Sequence, residues 1–244
     1  MSPRRSYSKK YKSSKKPRKL DSIQIIGIGV VVLVVAVAAW ALIGRNNTGG
    51  TPSLVTNGDY GTPFTTTLQG APSTGPKQYA SAPQMIIDTH KQYFATVKMA
   101  KGGEFVIQLF ADKAPITVNS FVFLAYNKFF DGVTFHRVID GFMAQGGDPT
   151  GTGTGGPGYE FVNEKNDLTF DKAGVVAMAN SGPNTNGSQF FIMFGPYQLS
   201  ESDYTIFGQV VSGMDVVNAI TRRDPQTNPT FTGDAMQSVT ITVK

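Results

Sequence analysis

The chain has 244 residues, enough for one domain or two small ones, and its 22 basic and 17 acidic residues give a net charge of +5. It contains no cysteine, which excludes disulfide bridges, thiolate catalysis and cysteine-based metal sites. The charge is uneven, because residues 1–22 hold nine lysines and arginines against one acid and leave the rest of the chain at −3. The high isoelectric point therefore comes from this basic tail alone.

The basic tail is followed by an apolar run, residues 23–43, whose one strongly polar member is Gln24. At about 1.5 Å per residue, a helix of this length spans the roughly 30 Å hydrocarbon core of a membrane. Trp40, near the end of the run, suits an anchor at the lipid headgroups. The run predicts a single transmembrane helix in contact with membrane lipid. By the positive-inside rule the tail is cytoplasmic and everything after the span is extracytoplasmic.

A cleaved signal peptide is the competing interpretation of this run, because Ala36 and Ala38, and again Ala39 and Ala41, form small-x-small sites. The run is longer than the roughly 7–15 residues of a signal h-region, which favours an uncleaved anchor. A basic tail can also bind nucleic acid. Next to an apolar span, however, the cations are explained as topology signal and lipid contact, so no nucleic-acid partner is expected.

Residues 44–83 are predicted to be a disordered linker. Of these 40 residues, 26 are Gly, Pro, Ser, Thr or Asn, and the hydrophobic residues are too scattered to build a core. The remaining residues, 84–244, are enough for one domain with its own core.

The pattern within 84–244 is mainly β. Alternating apolar residues predict a hairpin with strands at 93–99 and 104–110, and a last strand at 239–243. A helix is predicted from Pro115 to about Phe129, and a short second helix over 214–222. Because a closed barrel removes sheet edges, the expected fold is a β-barrel with two helices.

Residues 134–148 are the first candidate for a functional site. They place Arg137 among Phe135, Phe142 and Met143, with Gln145 close behind and glycines on either side. One fixed cation among several apolar groups is more typical of the wall of a site than of a core strand.

Other catalytic machinery is missing from the sequence. His90 and His136 have no Asp, Glu or Cys at ligand spacing, and Ser188 lacks a G-x-S-x-G turn. The Gly-rich segment 151–156 fits G-x-G-x-x-G, but Pro157 follows and no helix begins there, so it is predicted to be a groove-lining loop rather than a dinucleotide site. No metal and no cofactor are predicted. What remains is electrostatic polarisation by Arg137 in an apolar pocket.

Several motifs occur in a specific order: FHRVI at 135–139, GFMAQGGD at 141–148, GTGG at 153–156, MAN at 178–180 and GPNTNGSQFFI at 182–192. Together they resemble the cyclophilin family of peptidyl-prolyl cis-trans isomerases, over most of residues 90–244. The resemblance implies a closed antiparallel eight-stranded barrel capped by two helices, and isomerase activity on proline-containing polypeptides.

The resemblance also implies roles for individual residues, with Arg137 as the catalytic residue. The other implied positions are the wall of a proline pocket, formed by Phe142, Met143, Phe191 and Leu199; polar groove contacts, Gln145 and Gln189; a clamp on the substrate backbone, Asn180; and neighbouring groove positions, Gly153, Ala179 and Ser181. Two rim positions depart from the family pattern. Gln198 occupies the position where many members carry a tryptophan, and Tyr204 occupies the position of a rim histidine. In the family that tryptophan is associated with tight cyclosporin binding, so tight binding of the drug is not expected here.

The expected function is that of a membrane-anchored isomerase that assists the folding of exported or surface proteins without a cofactor. The alternative is a membrane-tethered adaptor that binds proline segments, with catalysis incidental. A further hypothesis is that the groove binds its own linker at Gly75 and Pro76, because a tether raises the local concentration.

Overall fold

The structure is a computed structural model that describes residues 52–67, 73–227 and 229–244. The basic tail, the apolar run and the first part of the predicted linker lie outside the described residues, so the predictions made for them stay predictions. Within the described ranges, no helix combines the length and the apolar character that a membrane crossing requires.

The described residues contain twelve strands, two α-helices and one short 3-10 helix. In chain order they are β1 (Thr62–Pro63), β2 (Ser73–Gly75), β3 (Gln78–Tyr79), β4 (Tyr93–Met99), β5 (Glu104–Leu109), α1 (Pro115–Tyr126), β6 (Thr134–Phe135), β7 (Arg137–Ile139), β8 (Met143–Gly146), β9 (Val175–Met178), β10 (Phe190–Met193), β11 (Ile206–Ser212), α2 (Met214–Asn218), the 3-10 helix Pro225–Thr227 and β12 (Asp234–Val243).

Ten of the strands form one antiparallel sheet in the order β1-β12-β4-β5-β11-β9-β10-β8-β7, with β6 paired to β12 beside this path. Only His136 separates β6 from β7, yet β6 pairs with β12 and β7 pairs with β8, toward opposite ends of the order. The sheet therefore curls far enough for residues 134–139 to pair with strands near both ends of the strand order.

The predicted class, mainly antiparallel β with two helices, is confirmed. The predicted closed eight-stranded barrel is not what the described residues form. The sheet has ten strands, and in the described ranges its end strands β1 and β7 are not paired with each other. Two features of the sheet depart from a regular closed barrel. The extra strand β1 adds to the free edge of β12, and register shifts within β11 and β12 interrupt regular pairing.

The predicted hairpin is confirmed, since β4 and β5 pair in register from Tyr93 with Leu109 to Lys98 with Glu104. The first helix is also confirmed but ends earlier than expected, at Tyr126. Lys128 takes a left-handed conformation with φ 56°, which stops the helix and turns Phe129 into the core at 1% exposure. Pro115 occupies the first helical turn, as predicted.

The second helix starts at Met214, as predicted, but ends at Asn218 rather than Arg222. The chain leaves the helix because Arg223 is drawn into backbone pairing with Val138 of β7. The Arg222 side chain then donates to the carbonyls of Asn218 and Ile220 at the helix end.

The strands near the centre of the sheet are apolar on both faces, because each face is covered. Alternate residues of β9 and β10 divide strictly between two hydrophobic clusters. The main core takes Val176, Met178, Phe190 and Ile192. A second cluster, here named the groove floor, consists of Met143, Phe170, Val175, Ala177, Phe191, Met193 and Ile206.

The described part of the predicted linker packs on the domain instead of leaving it. Phe64 donates its N–H to the carbonyl of Ile241 and packs its ring edge-on against Tyr93 and Tyr126. The buried side chain of Gln108 accepts a hydrogen bond from Val55 N and donates to Ser53 O. The expectation of a disordered linker is therefore wrong for these residues. Composition alone does not predict this docking, because a few aromatic contacts, each stabilising by about 0.5–1.5 kcal/mol, are enough to hold a polar segment on the domain.

Candidate active site

Arg137 lies on β7, directly opposite Gln145 on β8. Its Nη1 donates to Gln145 Oε1 at 3.4 Å, and Gln145 Nε2 donates in turn to Gln189 Oε1 at 2.9 Å. Gln189 Nε2 donates to the carbonyls of Gly153 and Gly155. A line of polar contacts thus runs from the guanidinium across two strands to the Gly-rich loop.

The strand that carries Arg137 is held at its outer edge by Arg223. Val138 N donates to Arg223 O at 2.7 Å, and Arg223 N donates back to Val138 O at 2.9 Å. The Arg223 guanidinium also donates from Nη1 to His136 O and from Nε to Phe231 O. The residues on both sides of Arg137 are therefore fixed by one neighbouring residue.

Beside Arg137 lies a cavity of about 160 Å³, here named the smaller cavity. Its lining comes from β7, β8, the start of the loop after β9, β10 and the segment before β11. The lining residues are Arg137, Phe142, Met143, Gln145, Ala179, Asn180, Phe191, Leu199 and Tyr204. All nine were singled out from the sequence, and the fold brings them together.

The apolar side of the smaller cavity is built from stacked rings. Phe191 stacks on Phe170 at 5.9 Å between centroids, and Tyr204 meets Phe191 edge-on at 5.5 Å. The ring of Phe142, which also lines the cavity, packs against Tyr197 at 4.3 Å and lies 5.9 Å from Arg137 Cζ. These contacts lock the rings that would hold an apolar ligand.

The structure places Gln198, the predicted rim position, next to the lining of the smaller cavity. Gln198 is exposed and does not line the smaller cavity, whereas its neighbour Leu199 does. The backbone explains this difference between the two residues, because Leu199 N bonds to Tyr197 O and this turn directs Leu199 inward. The contact of Tyr197 with Phe142 was not predicted, and no periodic pattern marks residues 196–200.

A second cavity of about 560 Å³, the larger cavity, adjoins the first and shares Gln145, Ala179 and Asn180 with it. The remaining predicted site residues, Gly153, Ser181 and Gln189, line this larger cavity. The Gly-rich segment is a loop along its wall, as predicted. The remaining lining residues are Gln78, Thr154, Gly155, Gly156, Pro157, Gly158, Tyr159, Glu160, Thr185, Gly187 and Ser188.

The Gly-rich loop is anchored by Asp148, which is 1% exposed. Its carboxylate accepts hydrogen bonds from the N–H groups of Thr150, Gly153 and Gly155 and from the Thr150 hydroxyl. Burial alone raises the pKa of this carboxyl, but the hydrogen bonds outweigh it and hold the pKa below its usual value. The loop is therefore organised around a buried carboxylate.

Gly147 lets the end of β8 pass close to the chain that enters β10. Its φ is +88°, and a Cβ there would lie 2.2 Å from Ser188 O. Ser188 Oγ donates to Gly147 O at 2.6 Å, so the serine predicted to be no nucleophile serves a structural contact here.

His136 is 2% exposed, and neither ring nitrogen has a hydrogen-bond partner among the described residues. Burial lowers its pKa, while the carboxylate of Asp148 opposes this and the cations of Arg223 and Arg137 add to it. The imidazole is therefore neutral near pH 7. His90, in contrast, is exposed on the surface.

The geometry supports one kind of chemistry. A guanidinium is a permanent cation with a rigid set of donors, and here it borders a pocket of aromatic and aliphatic side chains. Such a group stabilises a lone pair or negative charge that develops on a ligand held in the pocket.

Comparisons with known proteins agree with the family resemblance of the sequence motifs. The family model described as "Cyclophilin type peptidyl-prolyl cis-trans isomerase/CLD" matches residues 94–242. Peptidyl-prolyl cis-trans isomerase A of Mycobacterium tuberculosis is 46% identical over 158 residues, covering 57% of this chain and 87% of the relative. Peptidyl-prolyl cis-trans isomerase B of Streptomyces anulatus is 42% identical over 171 residues, covering 62% and 97%.

A solved structure is also similar. The crystal structure of a Cryptosporidium parvum cyclophilin type peptidyl-prolyl cis-trans isomerase in the presence of the dipeptide Ala-Pro has a TM-score of 0.55 and 30% identity, covering 61% of this chain and 98% of that one.

Proposed function

The chain belongs to the cyclophilin-type peptidyl-prolyl cis-trans isomerases, and we propose that it isomerises X-Pro bonds in the smaller cavity, with Arg137 as the catalytic residue. The observation that carries this proposal is the position of Arg137, a permanent cation at the edge of a pocket lined by Phe142, Phe191 and Leu199. Its substrates are proline-containing polypeptides.

The reaction needs no proton transfer. An X-Pro bond rotates slowly because resonance gives its C–N bond partial double-bond character, with a barrier of about 18–20 kcal/mol. At the top of the barrier the conjugation is broken and a lone pair is localised on the proline nitrogen. A donor that is cationic and already oriented lowers this barrier by bonding to the nitrogen in the twisted state.

Each wall of the smaller cavity has a part in this mechanism. The proline ring packs between Phe191, Leu199 and Phe142. The rings of Phe191 and Phe142 are held by their own aromatic neighbours. Asn180 and Gln145 bind the polar backbone around the ring. With the ring held, the preceding carbonyl rotates while the Arg137 guanidinium donates to the nitrogen. The Gln145 amide keeps that guanidinium oriented, which lowers the entropy cost of the step.

The test is the cis-to-trans relaxation of a short proline peptide with the full-length chain. We expect the wild-type chain to accelerate relaxation and Arg137→Ala to lower kcat/KM on the order of a hundredfold, as for other lost transition-state donors. Arg222→Ala is the matched control, because Arg222 is exposed and pairs with Asp140 outside both cavities. Equal rates for wild type and Arg137→Ala would remove Arg137 from the mechanism.

The location of the enzyme is a second part of the proposal. The cations of residues 1–22 and the apolar run 23–43 support a single-span anchor, with the isomerase domain outside the membrane and acting on exported or surface proteins. The full-length chain is then expected in the membrane fraction after a carbonate wash, with the domain open to protease added from outside. Recovery of the intact chain in the wash would contradict the anchor.

A further inference from the structure

A short hairpin from the predicted linker reaches the larger cavity. It comprises β2, β3 and the turn between them, residues 73–79, and is here named the N-terminal hairpin. Tyr79 N donates to Pro157 O at 2.8 Å, and the Tyr79 ring packs edge-on against Phe123 at 4.8 Å. Lys77 Nζ donates to Asp131 O at 2.6 Å. The hairpin is therefore fixed to the domain through its turn and through β3.

The domain surface is shaped to accept this hairpin. Gly158 has φ +92°, and a Cβ there would lie 2.6 Å from Tyr79 O and 2.9 Å from Gln78 Oε1. Only a residue without a side chain allows so close an approach. The fit thus depends on features of both segments.

Gln78 joins the hairpin to the substrate groove. Its Nε2 donates to Gly156 O at 2.8 Å, and its side chain lines the larger cavity. Gln189 holds the same Gly-rich loop from the other side, through Gly153 and Gly155, and Gln189 is linked through Gln145 to Arg137. Gln78 is thus the outer member of the polar line that begins at Arg137.

The larger cavity has a defined chemical character. Apart from Tyr159, whose hydroxyl is bonded to Ser120, the one ionisable side chain in its described lining is the exposed carboxylate of Glu160. The rest of the lining presents amides, hydroxyls, glycine backbone and single Ala and Pro side chains. The Glu160 carboxylate, together with the amide, hydroxyl and carbonyl oxygens of this lining, favours a long side chain that donates hydrogen bonds or carries positive charge.

The hypothesis that Gly75 and Pro76 occupy the groove does not describe this arrangement. They form the turn end of the hairpin, and the residues lining the smaller cavity include none from 73–83. The hairpin borders the groove beside the site of reaction.

We propose that the N-terminal hairpin is part of the substrate groove, where Gln78 and Glu160 form a subsite for a long polar or cationic side chain close to the substrate proline. This inference rests on the proposed function, since it concerns which X-Pro substrates the same groove prefers. The segment that precedes the isomerase domain then sets part of its specificity.

The experiment measures kcat/KM of the full-length chain on proline peptides in which each position, from three before to three after the proline, is changed to Lys or Glu. At one peptide position we expect kcat/KM for the Lys peptide to exceed that for the Glu peptide roughly three- to tenfold, because one partly solvated charge has an effect of this size. Gln78→Lys should lower this Lys-to-Glu ratio and Gln78→Glu should raise it. Glu160→Gln should lower it.

The matched controls are Gln92→Lys and Gln92→Glu, which make the same charge changes at an exposed glutamine outside both cavities. Opposite shifts in the two Gln78 variants, larger than those in the Gln92 pair, support the subsite. The inference is overturned if the Gln78 and Gln92 variants change the Lys-to-Glu ratio of kcat/KM by the same amount. It is also overturned if the wild-type chain shows no Lys preference at any peptide position. A wild-type chain that accelerates no peptide contradicts the proposed function itself, and this inference with it.

Discussion

Arg137 owes its position to residues that do not touch a ligand, and Arg223 is the foremost of them. It bonds to the backbone of His136 and Val138, the neighbours of Arg137 on both sides. Its own side chain is tied to Phe231 O at 2.7 Å, so the contact is braced from outside the sheet. Arg223 is thus a positioning residue, and it lines neither cavity.

Replacing Arg223 by Ala should lower kcat about tenfold or more and leave KM nearly unchanged, because small displacements of a catalytic group cost rate while the pocket walls stay intact. Arg223→Lys should not restore the rate, since an ammonium lacks the fork that serves two carbonyls at once. Relaxation rates over a range of peptide concentrations separate the two constants. If the loss only follows the fraction of unfolded protein, as measured by circular dichroism, the positioning role is wrong.

The pocket residues could be predicted at this scale because they sit in dense motifs, where order and spacing carry the information. Leu199 and Gln198 mark the limit of such prediction. The turn at Tyr197 decides which of the two faces the cavity, and no sequence pattern indicates that turn. Gln78 could not be predicted at all. It acts through a contact with Gly156, 78 residues along the chain, and nothing near Gln78 in the sequence indicates that partner.

At the scale of elements, helix α1 illustrates how distant residues complete local structure. Its N-terminal cap position is Ala114, which offers no side-chain hydrogen bond. The buried carboxylate of Glu164 takes over, accepting from Ile116 N, Thr117 N and the Thr117 hydroxyl. Burial raises the pKa of Glu164 against the opposing effect of these bonds. An acceptor at the positive end of the helix stabilises it.

Glu164→Ala should lower the free energy of unfolding by about 1–3 kcal/mol, since it leaves buried N–H groups at the helix start without an acceptor. Urea denaturation of the full-length chain measures the change. Glu201→Ala, at an exposed acidic residue, is the control and should change the free energy by less than about 0.5 kcal/mol. A Glu164→Ala midpoint equal to that of the control would show that another group caps the helix.

The elements themselves were predictable where one periodicity dominates, as in β4, β5 and the start of α1. Their ends were not. Helix α1 stops at the left-handed Lys128, and α2 stops because Arg223 pairs with β7, so each boundary is set by conformation or tertiary contact rather than by composition.

At the scale of the whole molecule, the largest difference from expectation is the segment before residue 84. Its polar composition predicted a flexible tether, yet Val55, Phe64 and Tyr79 each find a partner far away in the domain. Isolated anchors spaced many residues apart leave no periodic signal. Composition could therefore report the absence of a separate core but not the docking of this segment on an existing one.

The place of β12 in the sheet also determines the order in which the molecule can be completed during synthesis. This strand, Asp234–Val243, is the last of the described strands to leave the ribosome, yet β1, β4 and β6 all pair with it. Until it arrives, β4 keeps an open edge and β6, one residue from the strand of Arg137, lacks its partner strand β12. A nascent chain can therefore pair β8 with β10 before β12 emerges, whereas the strand pairing beside Arg137 is completed last.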